Sequence, residues 1–502
     1  MTAKVIMVQG TASSVGKSVL VTALCRIFKQ DFFKVAPFKS QNMALNSFVT
    51  KDGGEIGRAQ AVQAEACGIE PTVEMNPILL KPESGLRSQI IVQGKVSRNL
   101  KSEKYTEYAD YLMEIIERSL NSLRSQYDIV VIEGAGSTAE VNLREHEIVN
   151  MRIAKMAESP VLLVGDIDRG GIFASLVGTM ELLSAEERNL VKGLIINKFR
   201  GEKDRFRNGV DFLESRTARP VLGIIPYFED LSIAQEDSVY LDERPATSGE
   251  GLQVVIIRVP HTANYDDFDP LQEMGCNLRY VTRPQEVGCP DLLILPGTKG
   301  TIHDRLFLKE QGFDSVILEL ARKKVPVIGV CGGFQMLGLS IRDPQHVESE
   351  AEEVEGLGLL PVDTVFANVK NTVQVKSKIM ADKGLLKGLK DSLVSGYEIH
   401  MGQTTNPEVA PLGRVIETPL NAAGYYDGCV SKNGLIFGTY LHGIFRNGQF
   451  TNKLLTNLWH MKGLTAKLRE QKDHEEEYDK LAELVRQNLD VAKLYEIIGL
   501  KV

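Results

Sequence analysis

The chain has 502 residues, more than one hydrophobic core usually supports, so two or three domains are expected. A composition of 43% hydrophobic and 25% charged residues is that of a soluble globular enzyme and excludes a disordered or fibrous chain. The formal charge of -8, from 58 basic and 66 acidic side chains, argues against a general nucleic-acid binder and still allows a local basic pocket for an anionic ligand.

The start, Met1-Thr2-Ala3-Lys4, runs into an apolar strand, Val5 to Val8, rather than a secretion signal. Next comes the glycine-rich segment Gly10-Thr11-Ala12-Ser13-Ser14-Val15-Gly16-Lys17-Ser18. From Lys17 to Phe28 the apolar residues Val19, Leu20, Ala23, Leu24 and Ile27 recur at helical spacing. Strand, loop and helix in that order suit phosphate binding. Loop amides and the positive helix end cradle the anion, Lys17 neutralises terminal oxygens, and Ser18 ligates magnesium. The loop is one residue longer than the common spacing, and an incidental glycine loop is the competing reading. Lys39, in Pro37-Phe38-Lys39-Ser40-Gln41-Asn42-Met43, offers a second positive charge over a transferred phosphate. Glu55, after Asp52-Gly53-Gly54, is a candidate magnesium ligand.

Further buried strands are expected at 129–132, 161–164, 194–196 and 221–225, with helical stretches between several of them, which indicates a mostly parallel sheet covered by helices. Glu133-Gly134-Ala135-Gly136 follows the first of these, where Glu133 would hold magnesium or cap a strand end. Asp166-Ile167-Asp168-Arg169-Gly170-Gly171 reads equally as a nucleotide or acceptor loop and as a capped turn. Asn197-Lys198 reads as a base-edge contact or a structural cap. The polar, breaker-rich stretch that follows is read as a linker. The divisions are 1–240 for a phosphate-handling domain, 241–250 for the linker, 251–450 for a second α/β domain and 451–502 for a helical extension. The extension's Asp473-His474-Glu475-Glu476-Glu477 cluster is expected to be a solvated face.

The second domain has its clearest strands at 254–259, 292–295, 325–330 and 435–439. Six cysteines are scattered without a CxxC pair or zinc-type cluster, so no disulfide framework is expected. Cys331 stands apart, because a strand runs into Gly329-Val330-Cys331-Gly332-Gly333-Phe334-Gln335. Small neighbours allow a sharp turn that presents sulfur at a helix start, where thiolate is favoured, and the amides of Gly332, Gly333 and Gly297 are candidate oxyanion donors. A buried structural cysteine is the competing reading. The base would be His442, after the strand ending in Thr439-Tyr440. His400 competes, because alternation places it on one strand face with Glu398.

The combination resembles the cobyric acid synthase group of glutamine-dependent amidotransferases over essentially the whole length. The resemblance implies an α/β chain with an N-terminal P-loop dethiobiotin-synthetase-like domain followed by a class I glutamine amidotransferase domain. Gly10, Thr11, Ser14, Val15, Gly16, Lys17 and Ser18 match the phosphate loop, and with Lys39 and Asn197 they are the expected ATP-binding residues. Ser18, Glu55 and Glu133 are the expected Mg2+ ligands. The segment from Pro37 through Ser47 looks specific to this group and argues against the related a,c-diamide synthases. Cys331 matches the glutaminase nucleophile and His442 its histidine. Many class I glutaminases place Pro and Glu after that histidine, whereas Gly443 and Ile444 stand here, so a Cys-His pair without an acidic third member is expected. The implied substrates are glutamine, ATP and an adenosylcorrinoid, adenosylcobyrinic acid a,c-diamide, amidated at its b, d, e and g carboxylates to adenosylcobyric acid. A nucleotide-controlled regulatory module with a degenerate cysteine domain is the rival of a different class. No nucleic acid, no stable membrane insertion and a cytoplasmic location are expected, and a homo-oligomer is left open.

Overall fold

The computed structural model describes residues 2–83, 88–97, 107–228, 251–405, 410–419 and 423–500. The predicted linker at 241–250, and with it the end of the first domain at residue 240, lies outside them.

The first apolar run forms β1 (Lys4–Gly10), buried at every position after Lys4. A strand of that kind needs cover on both faces and a parallel sheet supplies it. Its partners are β2 (Val35–Phe38), β3 (Ile129–Glu133), β4 (Val161–Asp166), β5 (Val191–Phe199) and β6 (Val221–Pro226), in the order β6-β5-β4-β1-β3-β2 with every pair parallel. The chain leaves β1 through α1 (Lys17–Gln30) toward β2 on one side and later builds β4 to β6 on the other. The reversal of strand order therefore falls at β1, where open parallel sheets bind ligands at the carboxyl ends of their strands. Val8 pairs with Glu133 and Gly10 with Val164, which brings the glycine-rich loop, Glu133 and Asp166 to one end of the sheet.

Between β2 and β3 the chain makes an excursion containing α2 (Arg58–Cys67) and small sheets, one of them pairing Ser47–Val49 with Glu55–Gly57. This excursion faces the second half. The Ser47 amide donates to Asn264 Oδ1 at 3.3 Å, the Tyr265 amide to Asn46 Oδ1 at 3.3 Å, and Gln374 Nε2 to the Val49 carbonyl at 2.8 Å.

The second half is built on β7 (Gln253–Ile257), β8 (Asn277–Val281), β9 (Leu292–Leu295) and β10 (Val327–Val330). A long hairpin follows, β11 (Asp363–Ile379) with β12 (Leu393–Thr405), and then β13 (Cys429–Val430) and β14 (Ile436–Thr439). The central sheet runs β8-β7-β9-β10-β14-β13, parallel except for its last pair. Helices α3 (Thr301–Gln311) and α4 (Gly332–Leu337) follow β9 and β10.

The segment 451–502 does not form one extension. Helix α5 (Gly448–Met461) buries Phe450, Leu454, Leu455 and Leu458 in the second core. Helices α6 (His474–Asn488) and α7 (Val491–Ile497) return to the first half, where Leu481, Ala482, Val485, Leu489 and Leu494 share a core with Leu20, Leu24 and Phe28 of α1. The charged cluster at the start of α6 is accordingly not a solvated face alone. Asp473 caps the helix by accepting from the Glu475 amide at 3.0 Å, Glu475 pairs with buried Arg26 at 2.7 Å, and Glu477 is buried. Among the described residues no helix is long and apolar enough to cross a membrane.

Because Leu481 is wholly buried against α1, Leu481→Ala is expected to lower the stability of the first half by about 2–5 kcal/mol in urea unfolding. A loss under about 1 kcal/mol, the scale of an ordinary surface change, would contradict this packing.

Candidate functional sites

At the end of β1 the backbone turns through Ser14 at φ 57° and Gly16 at φ 95°, and α1 begins at Lys17. Gly16 is constrained twice over, by its left-handed φ and by Asn197, whose Nδ2 would lie 2.1 Å from an added Cβ. Asn197 Nδ2 donates to the Val15 carbonyl at 2.8 Å. Lys198 Nζ donates to the Ser14 carbonyl at 2.8 Å and pairs with Asp166 at 2.9 Å. The loop is thus held from the ends of β4 and β5 before any ligand arrives. Lys17 Nζ donates to the Ala12 and Gly136 carbonyls at 3.1 and 3.0 Å, which places its charge inside the loop.

Glu133, buried at the end of β3, accepts from Ser18 Oγ at 2.9 Å, from Lys39 Nζ at 2.9 Å and from Gln63 Nε2. A serine hydroxyl and a carboxylate are hard oxygen donors of the kind magnesium takes beside nucleotide phosphates. The buried Asn197 Oδ1 has no hydrogen-bond partner, and such an atom is satisfied when a donor such as an adenine amino group reaches it. The residues present therefore fit a nucleotide with magnesium.

Glu55 does not belong to this group and is corrected as a magnesium ligand. Its buried carboxylate accepts from Ser47 Oγ at 2.9 Å, from Lys81 Nζ at 2.8 Å and from Lys370 Nζ of the second half. Burial opposes its ionisation, but the two ammonium groups outweigh it and hold the carboxyl well below the usual carboxylate range. Two ammonium groups outnumber this one carboxylate, whereas Glu133 faces one, and neither Ser18 nor Glu133 is among its partners. The Asp166–Gly171 loop shows the bonding of a capped turn: Asp166 accepts from the Asp168 amide at 2.9 Å, and Asp168 pairs with Arg200 at 2.7 Å.

In the second half, Cys331 joins β10 to α4 at φ 50° and ψ -109°, a conformation a non-glycine residue holds only when its surroundings impose it. The imposition comes partly from Gly333, which packs so close to β9 that an added Cβ would meet the Leu295 carbonyl at 2.1 Å. The register Val330↔Thr439 means that Cys331 and the segment reaching His442 leave neighbouring strands at the same end, and both line one cavity.

His442 is fixed on every side. Its amide donates to the Tyr397 carbonyl at 2.9 Å, and its ring stacks on Tyr397 with centroids 5.5 Å apart. Its Nδ1 lies 2.6 Å from Asp267 Oδ2, while Asp267 Oδ1 accepts from the Gly443 amide at 2.8 Å. The expectation of a site without an acidic member is therefore corrected. Asp267, separated from His442 by 175 positions, stands where the residues after the histidine supply nothing. Burial favours the neutral imidazole, but the Asp267 carboxylate and the Cys331 sulfur outweigh it and push His442 up to about 10. The acid lies in Tyr265–Phe268, a short turn held from both halves: Arg58 Nε of the first half pairs with Asp266 at 3.0 Å, and Arg446 of the second half with Asp266 at 2.8 Å.

The competing histidine also lines the cavity but has other commitments. His400 Nδ1 lies 2.7 Å from the Gly402 carbonyl, its Nε2 faces Glu398 at 3.4 Å, and its ring stacks on Tyr440 at 3.8 Å. Glu398 in turn accepts from Asn371 at 2.6 Å and Tyr425 at 3.0 Å, so the pair is satisfied internally.

Comparison with known proteins matches a family model to each half of the chain. Residues 6–239 match the family model of the CobQ/CobB/MinD/ParA nucleotide binding domain, and residues 253–450 that of the CobB/CobQ-like glutamine amidotransferase domain. A cobyric acid synthase of Dehalococcoides mccartyi (strain CBDB1) is 56% identical over 498 residues, covering 99% of both chains. Another, of Caldanaerobacter subterraneus subsp. tengcongensis, is 49% identical over 503 residues, covering 98% of each.

The His442–Asp267 pair has a pH signature. The folded pKa near 10 lies above the unfolded value near 6.5, so the stabilisation is complete below 6.5 and is lost as pH rises through 10. The difference in urea-unfolding free energy between the chain and His442→Asn is expected to shrink on moving from neutral pH to above 10. A difference independent of pH would contradict the pairing.

Proposed function

The chain belongs to the cobyric acid synthase family, and from that premise we propose that its two sites run one coupled reaction: glutamine hydrolysis at Cys331 supplies ammonia to a corrinoid carboxylate activated by ATP beside Lys17. As a member it is an enzyme, forming adenosylcobyric acid from its adenosylcobyrinic precursor at the expense of ATP and glutamine. In finer detail, the precursor is the a,c-diamide and the amidated carboxylates are b, d, e and g. The observation that carries the reading is the buried Cys331–His442–Asp267 arrangement in the chain that also holds the phosphate loop.

At neutral pH a histidine pushed up to about 10 is an imidazolium. A positive ring beside the Cys331 sulfur favours negative charge developing on it, and the thiolate is the nucleophilic form of a cysteine. The thiolate attacks the side-chain carbonyl carbon of glutamine, and the negative charge that develops on oxygen faces the free amides at the start of α4, those of Gly332 and Gly333. His442 gives its proton to the departing nitrogen, the C–N bond breaks and ammonia leaves. His442, now neutral, takes a proton from water as the water oxygen attacks the thioester carbon; glutamate departs and the imidazolium–thiolate pair returns. Asp267 acts through the ring as a positioning residue, keeping Nε2 toward the sulfur and balancing the charge.

In the first half the amides of residues 10–18 and Lys17 hold the ATP phosphates, and Asn197 Oδ1 is available to the base. Ser18 and Glu133 would hold Mg2+, which neutralises phosphate charge when bound. A corrinoid carboxylate oxygen attacks the terminal phosphorus, ADP leaves, and Lys39 stabilises the charge on the moving phosphoryl group. Ammonia then attacks the acyl phosphate carbon and inorganic phosphate leaves with the C–O electron pair. The activation is needed because a carboxylate oxygen is otherwise too poor a leaving group.

The test is product mass after incubation with Mg-ATP, the a,c-diamide corrinoid and either glutamine or ammonium. Four successive acid-to-amide changes are expected from either nitrogen source. Cys331→Ala is expected to lose the glutamine-driven reaction and keep the ammonium-driven one. Loss of both in a folded chain that still binds ATP would overturn the two-site reading, as would an unchanged corrinoid alongside active glutamate release. Asp267→Asn, which leaves the shape and removes the charge, is expected to lower kcat for glutamate release by about 100- to 10,000-fold. A loss below about threefold would remove Asp267 from the mechanism.

A further inference from the structure

The cavity lined by Cys331 and His442 is also lined by charge drawn from both halves of the chain. Lys299, Glu348 and Lys370 of the second half line it together with Lys81 of the first. Lys81 and Lys370 share the buried Glu55 carboxylate, and Lys299 pairs with Glu83 of the first half at 2.8 Å. This is a wall assembled from ammonium groups and carboxylates across the boundary between the halves.

The charges on that wall are only partly matched. Glu348 accepts from the Ile302 amide at 2.8 Å, at the start of α3. Its burial, reinforced by Asp304 and Asp343 and opposed by Lys299, pushes the carboxyl up to about 8. Lys370 is displaced in the opposite sense, down to about 8, by burial and by Lys81 and Lys299, with Glu55 working the other way. A carboxylate short of positive charge and an ammonium short of negative charge face one cavity. The head group of an α-amino acid carries one charge of each sign on a single carbon and supplies both deficits at once.

We propose that this cavity seats the head group of glutamine, its α-ammonium against Glu348 and its α-carboxylate against Lys370 with Lys299 and Lys81 behind it, so that the synthetase half completes the glutamine site. The side-chain amide is thereby directed to Cys331. The proposal rests on Cys331 being the glutaminase nucleophile. It adds what selects the amino acid, and it assigns part of that selection to residues outside the glutaminase half. Lys81 reaches the site through Glu55: with both lysines on one carboxylate, neither is fully neutralised, and Lys370 keeps positive charge for a second anion.

Two amides that each lack one charge test the assignment. Glutaramate has no α-ammonium and γ-aminobutyramide has no α-carboxylate. Ammonia release from each is compared with release from glutamine as kcat/KM, with thermal unfolding of every variant measured alongside. The wild-type chain is expected to favour glutamine over either analogue by about 100-fold or more, because buried charges are left unmatched by the wrong ligand. Glu348→Gln should erase the preference over glutaramate and keep that over γ-aminobutyramide; Lys370→Met should do the reverse, with Lys370→Arg restoring discrimination. Lys81→Met, in the other half, should raise the KM for glutamine by about tenfold or more with a smaller effect on kcat. Equal use of all three amides by the wild-type chain overturns the proposal without any variant, and so does a uniform loss on all three in the variants, which is what a merely structural role gives. A wild-type chain that releases no ammonia from glutamine overturns the underlying reading of Cys331 instead, and this assignment with it.

Discussion

A buried imidazolium is tolerated only beside a carboxylate, and the His442–Asp267 pair is the contact on which the second half's chemistry turns. Removing either member leaves the other charge buried and unmatched, at a cost of about 3–5 kcal/mol. The acid cannot wander, because one oxygen takes the histidine and the other the Gly443 amide. The histidine cannot rotate away, because its backbone is bridged to Tyr397 and its ring lies on the same tyrosine. With the strained turn at Cys331, the groups proposed to react are held in place before substrate enters, which is where preorganised sites obtain their advantage.

The turn that carries Asp267 is held by the other half. Asn264 exchanges hydrogen bonds with the backbone of Ser47, Tyr265 is anchored on Asn46, and Asp266 is paired with Arg58 at the start of α2. Those partners lie in the excursion that follows Lys39, the lysine bonded to Glu133 in the phosphate site. Segments continuous in sequence thus touch both reaction centres. Helices α6 and α7 add a second tie, crossing from the glutaminase half to bury their apolar faces against α1. A chain built in this way keeps its two halves docked.

What the sequence disclosed and what it hid follow from distance along the chain. The phosphate loop was legible because strand, loop and helix are contiguous, and Glu133 because it ends a run of apolar residues. Cys331 was legible for the same reason. Asp267 was not: an aspartate beside another aspartate in a short polar stretch carries no local mark, and only the tertiary fold sets it against His442. Glu55 misled because a glycine-rich turn before a carboxylate looks like an ion loop from either direction, and nothing local shows that two lysines, one from the other half, surround it. The α6 cluster misled for a different reason. Its charges drew attention from Tyr478, Leu481, Ala482 and Val485, whose helical spacing already marked a buried face.

The most direct measurement of the central claim is the titration of the His442 ring in the folded chain, followed by NMR of selectively labelled imidazole in the wild type and in Asp267→Asn. A ring that stays protonated through neutral pH and titrates near 10 is expected in the wild type, with the midpoint falling sharply in the variant. A wild-type midpoint near 6.5, unchanged by the substitution, would show that Asp267 does not hold the charge, and would contradict the account.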